Sequence, residues 1–225
     1  MDNEQLKNLF EFLEIHDFVK RISEENQKKY DLAFEELQKK VKIKKKKVFI
    51  ENESFVRAIY HSLENGAKDL KIHLIKKAKD LDINIGFSFS NSKITEDGTI
   101  DRDLDLFWTL NDKGILVKSN RHEFKSYKDN FNATTSKEIK KHTNKPCTEF
   151  IKYDIDDVIR YIIRNLLSNT FDSKRFVFNY FVFKDYGADT KMNDRIGISV
   201  HNTLVQDSNK NELISIGYDF GTVYP

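Results

Sequence analysis

Apolar side chains recur every three or four positions near the start of the chain, among charged residues: Leu6, Phe10, Leu13, Phe18, Ile22, Leu32, Phe34 and Leu37. Residues with this spacing share one face of a helix, so residues 3 to about 40 are predicted to be helical. A further helix is predicted to begin near Glu53 and to end at Asn65-Gly66, a pair typical of helix C-termini. Residues 68–81 are predicted to form another amphipathic helix.

The apolar period then changes to two. A strand is predicted where apolar residues alternate with polar or small ones: Ile83, Ile85, Phe87 and Phe89. Residues 100–111 and 115–126 are predicted to be the two strands of a hairpin around Asp112-Lys113-Gly114. Asp and Gly tolerate the positive φ that such turns need, which is why this triplet indicates a hairpin.

The second half of the chain is predicted to be mostly strands. A helix from Asp154 to about Asn169 follows a short strand at 147–153, and three strand-like segments cover 174–183, 194–205 and 211–220. Residues 128–146 are polar and show no strong pattern. This order predicts an α+β fold with a central mixed or antiparallel sheet flanked by helices and a helical N-terminus, in a single domain of residues 1–225.

Composition adds limits but no function. Hydrophobic residues make up 39% of the chain, with 18 Phe and 9 Tyr, which is enough for a substantial core. The formal net charge is only +2, so only local clustering of charge could indicate a nucleic-acid binder. Cys147 is the single cysteine, which excludes an intramolecular disulfide. The acidic N-terminus does not resemble a secretory signal and no apolar run reaches membrane length, so a cytoplasmic protein without membrane contact is expected.

Lysines are concentrated in the segment KKVKIKKKKVFI, residues 39–50, which we call the lysine run. One interpretation is a solvated turn or a short strand with a polar face. The other is a strip that contacts phosphates, with Lys42, Lys44 and Lys46 as the candidate DNA-binding residues, in which each engaged lysine releases condensed counterions.

The predicted hairpin brings acids from two strands together. Asp101, Asp103 and Asp105 recur at every second position and so share one face, and Glu123 is predicted to lie across the hairpin from them. Lys125 is two residues further along and is predicted to project to the same side. These charges are either solvated or held together by a cation. A hard cation such as Mg²⁺ takes carboxylate ligands and activates water for attack on a phosphodiester.

The spacing of Asp105, seventeen intervening residues and Glu123-Phe124-Lys125 resembles the signature of the PD-(D/E)XK nuclease superfamily, over residues 50–165. The resemblance implies a Mg²⁺-dependent endonuclease in which Asp105 and Glu123 hold the metal and Lys125 is the catalytic lysine. Asp103 shares the face of Asp105 and could equally be the metal ligand. Residue 104 is Leu where the signature has Pro.

Within that superfamily, a chain of this size is similar to type II restriction endonucleases. This similarity implies a homodimer that cuts double-stranded DNA at a palindromic A/T-rich site, without a small-molecule cofactor. Glu53 or Glu64 would supply an additional acid. The strand-rich region of residues 170–225 would then read base edges, with the candidate side chains Asn193, Arg195, Asn202 and Gln206.

Two other functions fit parts of the sequence. Asp103-Leu104-Asp105-Leu106 resembles the acid pair of nucleotidyltransferases, which also need a Gly-Ser turn opening a helix, whereas the nearby GFSFSNS is predicted to be a strand. The other alternative is a nucleic-acid-binding protein without enzymatic activity, of phage or plasmid origin, which would bind through the lysine run.

Overall fold

A computed structural model describes residues 20–77, 82–90, 105–167, 171–186, 191–204, 218–219 and 222–224. The helices within these ranges are α1 (Glu24–Val41), α2 (Asn52–Glu64), α3 (Arg121–Ala133), α4 (Thr135–Thr143) and α5 (Ile155–Leu167). The strands are β1 (Lys20–Arg21), β2 (Lys47–Glu51), β3 (Asp69–Ile75), β4 (Asn84–Ser90), β5 (Leu106–Leu110), β6 (Leu116–Ser119), β7 (Phe150–Asp154), β8 (Phe171–Val182), β9 (Ile196–Leu204), β10 (Tyr218–Asp219) and β11 (Thr222–Tyr224). The helices predicted over residues 3–19 lie outside the described residues.

The strands form two sheets, and every described pairing is antiparallel. Sheet A has the order β1-β10-β9-β8-β2, and sheet B has the order β11-β7-β3-β4-β5-β6. Helices flank these sheets, so the predicted α+β class with antiparallel strands is confirmed. In the part of the chain that the structure describes, no helix combines the length and the apolar character needed to cross a membrane.

The apolar face of α1 packs against β8 of sheet A. The helix begins at Ser23, whose side chain accepts a hydrogen bond from the backbone N–H of Asn26 (3.2 Å). Tyr30 stacks on Phe181 with 5.4 Å between ring centroids, and Phe34 stacks on Tyr180 at 5.8 Å. The helical spacing of the apolar residues therefore places α1 against β8, as an amphipathic helix requires.

The main core lies between the two sheets and is closed by α2 and α5. Phe55 of α2 lies at its centre, with its ring 5.5 Å from Phe87 of β4 and 5.6 and 5.8 Å from Phe176 and Phe178 of β8. The alternating residues of β4 point into this core, which confirms the strand predicted there. The predicted helix at residues 154–169 is also observed, as α5.

The turn predicted at residues 112–114 joins β5 to β6. Asn111 accepts hydrogen bonds through its side-chain oxygen from the backbone N–H groups of Lys113 (2.9 Å) and Ile115 (3.0 Å). Gly114 has a φ of 78°, a conformation that residues with a side chain rarely adopt. This turn also contacts sheet A, because the Gly114 carbonyl accepts from the backbone N–H of Glu51 (3.0 Å).

The helix predicted at residues 68–81 is wrong. Residues 69–75 form the strand β3, which pairs with β4 on one side and β7 on the other. Leu70, Ile72 and Leu74 alternate into the core, so the period is two rather than helical. Pairing with β4 and β7, which are distant in the sequence, therefore determines the conformation of this segment.

The second strand of the hairpin is shorter than predicted. It ends at Ser119, and residues 121–133 form α3. The side-chain oxygen of Asn120 accepts from the backbone N–H of Glu123 (2.8 Å), which caps the start of this helix. Residues 128–146, which show no pattern in the sequence, form the end of α3 and all of α4.

Candidate nucleic-acid interface

Glu123 and Lys125 lie on the helix α3 and not on a strand. Successive helical residues are rotated by roughly 100°, so two residues two positions apart point to nearly opposite sides. The Glu123 carboxylate reaches back towards β6, and both Glu123 and Lys125 are exposed. The prediction that Glu123 and Lys125 project to the same side is therefore wrong, because it assumed a strand.

Asp105 and Glu123 nevertheless lie on the same side of sheet B. Phe107 pairs with Ser119 across the hairpin, and the Ser119 hydroxyl donates a hydrogen bond to Glu123 Oε2 (2.8 Å). Asp105 precedes Phe107 by two residues and so shares its face. Asp103, the alternative ligand, lies outside the described residues.

Both oxygens of the Glu123 carboxylate accept hydrogen bonds from neighbouring hydroxyl groups. Its Oε1 accepts a hydrogen bond from the Tyr127 hydroxyl (2.6 Å) and its Oε2 accepts from Ser119. These two bonds and the positive charge of Lys77 hold the pKa of Glu123 below its usual value. Within the described ranges, no three His, Cys, Asp or Glu side chains are grouped so that they could hold a metal ion. The magnesium site stays a prediction, because Asp103, one of its candidate ligands, lies outside the described residues.

The lysine run connects α1 to β2 through a loop of residues 42–46, which we call the lysine loop. Ile43 is buried and anchors the loop, while Lys42, Lys44 and Lys45 are exposed. Lys46 differs from the others, because its ammonium group lies 2.8 Å from Glu35 Oε1 and 3.4 Å from Asp31 Oδ2.

These ion pairs bear on the predicted set of phosphate contacts. Lys46 joins β2 to α1 and its charge is balanced by two carboxylates of that helix. The proposed role of Lys46 as a phosphate contact stays a prediction, and in the structure its ammonium group is held by these carboxylates. Lys45, which the sequence analysis did not select, has the exposed position instead.

The backbone of the lysine loop is held in place from three directions. The carboxylate of Asp82 accepts hydrogen bonds from the N–H groups of Lys44 (3.0 Å) and Lys45 (2.7 Å). Gln38 donates from its side chain to the carbonyl of Lys44 (3.0 Å), and the N–H of Tyr180 donates to the carbonyl of Lys46 (2.9 Å). Four backbone groups of the loop therefore have hydrogen-bond partners outside it.

A cleft of about 410 Å³ lies between the lysine loop, the end of β3 and the start of α4, and we call it the basic cleft. Its lining residues are Val41, Lys42, Ile43, Lys76, Asp82, Ile83, Ala133, Thr134, Thr135, Lys137, Glu138 and Lys141. Four of these are lysines and two are acids. Both acids have partners, since Glu138 pairs with Lys141 (2.7 Å) and Asp82 accepts from the loop backbone.

Positive charge therefore dominates the basic cleft. Lys141 keeps the pKa of Glu138 below its usual value, so this carboxylate is ionised at neutral pH and balances one lysine. Lys42, Lys76 and Lys137 come from three different elements and meet around the same space. Such a concentration of ammonium groups favours a ligand with several negative charges.

The first two residues predicted to read base edges, Asn193 and Arg195, lie in the turn between β8 and β9. Asn193 accepts a hydrogen bond from the backbone N–H of Tyr186 (2.8 Å), and the Arg195 carbonyl accepts from that of Phe183 (3.1 Å). Asp185 in the same turn pairs with Lys29 in the first half of α1. Asn202 belongs to β9, and Gln206 lies outside the described residues.

Three lysines that complete the cleft were not predicted from the sequence: Lys76, Lys137 and Lys141. A signal for two of them was present, because Lys137 and Lys141 are four residues apart and share one face of α4. The buried Thr135 and Ile139 mark the opposite side of that helix. No signal for Lys76 was available, since its position depends on β3 being a strand.

No protein-family model matches this chain, and comparison with the curated proteins and with the solved structures also finds no match. The function is therefore inferred from the basic cleft, the lysine loop and their charges.

Proposed function

We propose that this protein binds the phosphate backbone of nucleic acid through the basic cleft and the lysine loop. One observation carries this proposal: lysines from the lysine loop, the end of β3 and α4 converge on one cleft whose two acids already have partners. Phosphate groups spaced along a chain are the ligand that such a surface suits. Binding of this kind requires only the lysines described above and no catalytic residues.

The charge distribution supports local rather than general attraction. A formal net charge of +2 gives the whole chain little long-range attraction for polyanions. Binding would therefore depend on short-range contacts to individual phosphates, each of which releases counterions and steepens the salt dependence. An ordered loop loses less conformational entropy on binding than a flexible tail of lysines would.

The triple variant Lys42→Ala, Lys44→Ala, Lys45→Ala tests this function. We expect it to bind a short duplex DNA on the order of 100-fold more weakly at low salt, because three phosphate contacts and their counterion release are lost. The slope of log K against log salt should fall by roughly 2.7. Fluorescence anisotropy with a labelled duplex, titrated at several salt concentrations, measures both quantities.

A matched control variant removes three lysine charges from another part of the surface. Lys28, Lys113 and Lys118 are exposed and lie outside the basic cleft and the lysine loop, so the corresponding triple alanine variant should keep the wild-type slope. Equal losses of DNA affinity in the two triple variants would show that binding is spread over the whole protein surface. If the wild-type protein does not bind DNA at low salt, the proposed function is wrong.

DNA cleavage distinguishes this function from the predicted endonuclease. We expect supercoiled plasmid incubated with the protein and Mg²⁺ to remain uncut, because Lys125 points away from Glu123 and both Glu123 oxygens accept hydrogen bonds. Agarose gels of the plasmid measure the outcome. Discrete fragments that disappear in the Asp105→Ala and Glu123→Gln variants would instead favour the endonuclease.

A further inference from the structure

Asp82 lies where the lysine loop meets the start of β4. Only 9% of the residue is exposed, yet its carboxylate is surrounded by backbone donors. Oδ1 accepts from the N–H of Lys44 and from that of Ile83 (both 3.0 Å), and Oδ2 accepts from Lys45 (2.7 Å). A carboxylate that accepts hydrogen bonds at both oxygens is held in one orientation and holds its donors equally firmly.

We infer that Asp82 is a positioning residue for phosphate binding, which fixes the backbone at Lys44 and Lys45 so that their side chains extend beside the basic cleft. This inference rests on the proposed function. Asp82 is 37 residues away from Lys45 in the sequence, so the contact defines the position of the loop relative to sheet B. It would therefore set where the exposed lysines lie relative to Lys76 and to α4.

The charge of Asp82 matters as well as its hydrogen bonds. Residues 44–47 are four consecutive lysines, and their mutual repulsion opposes a compact loop. Lys46 is compensated by Glu35 and Asp31 on one side. Asp82 places a further negative charge beneath the backbone of Lys44 and Lys45, where it offsets the repulsion without covering their exposed side chains.

The variants Asp82→Asn and Asp82→Ala test this role. Asparagine keeps the shape and one acceptor oxygen but loses the charge and one of the two loop contacts, whereas alanine loses both contacts. We expect the affinity for duplex DNA at low salt to fall by roughly tenfold in Asp82→Ala and by less in Asp82→Asn. In Asp82→Ala the slope of log K against log salt should fall by about 0.9, the value for one phosphate contact.

Two further variants separate positioning from general stability. Gln38→Ala removes the hydrogen bond from α1 to the Lys44 carbonyl and should weaken binding in the same direction. Ile162→Val in the core destabilises the fold away from the loop and should leave affinity and salt slope unchanged at temperatures where the protein is folded. Thermal unfolding of each variant identifies those temperatures.

The outcomes distinguish the inference from the function on which it rests. If Asp82→Ala and Gln38→Ala bind DNA with the wild-type affinity and slope, Asp82 has only a structural role and the inference is wrong, although the basic cleft still binds. Should Asp82→Ala fail to fold, Asp82→Asn and Gln38→Ala decide the question by the same two readouts. A wild-type protein without DNA affinity overturns the proposed function itself.

Discussion

Replacing Phe55 by alanine is expected to lower the free energy of unfolding by about 4 kcal/mol. The ring is 4% exposed and contacts aromatic side chains of both sheets, Phe87 in sheet B and the pair Phe176 and Phe178 in sheet A. A small apolar cavity of about 20 Å³ already borders it. Alanine would enlarge that cavity, and the two sheets, each held by its own strand pairing, could close it only in part.

Urea denaturation followed by circular dichroism measures this change. Val56 provides the control, because it is the next residue of α2 and is 38% exposed. We expect Val56→Ala to change the stability by less than about 0.5 kcal/mol. A loss below about 1 kcal/mol for Phe55→Ala would contradict the described contact between α2 and the two sheets.

Replacing Gly114 by alanine is expected to lower the free energy of unfolding by about 3 kcal/mol, through backbone strain and overpacking together. The φ of Gly114 is 78°, which disfavours any side chain. A Cβ at this position would lie 2.6 Å from the carbonyl oxygen of Phe49, a backbone atom of β2 that cannot rotate away. Relief of this clash would move the turn away from sheet A and weaken its hydrogen bond with Glu51.

The neighbouring residue Lys113 makes a matched control for Gly114. Lys113 is exposed in the same turn, and Lys113→Ala should leave the stability within about 0.5 kcal/mol of the wild type. The same urea denaturation measures both variants. Similar stability of Gly114→Ala and the wild type would show that the turn does not hold the described conformation against β2.

Much of the fold could be predicted because its local signals agreed with the final packing. The Asp112-Lys113-Gly114 turn and the alternation of β4 each indicated one conformation only. The segment at residues 68–81 was different, since Leu70 and Leu74 fit a helical spacing and a strand alternation equally well. Pairing with β4 and β7 decided between them, and neither partner is visible in the local pattern.

The candidate site was harder to predict for the same reason. The spacing of Asp105, Glu123 and Lys125 contains no information about whether the second acid lies on a strand or a helix. Asn120 at the start of α3 was the relevant signal, because it caps the helix that carries Glu123. The lysine run could be recognised from the sequence, but the basic cleft could not, since it needs Lys76 and α4 brought together by the tertiary fold.

The pairing of β2 with β8 has a consequence for how the protein is made. Val48 of β2 lies opposite Phe178 of β8, so β2 is synthesised 130 residues before the strand with which it pairs. At typical elongation rates that interval lasts on the order of 10 seconds, and contacts between such distant residues form slowly even in the complete chain. The hydrogen bond from the Tyr180 N–H to the Lys46 carbonyl also requires β8, because Tyr180 is part of that strand. Ribosome-bound chains that stop before β8 should therefore lack the β8 contacts of β2 and of the lysine loop, although Asp82 and Gln38 are already present.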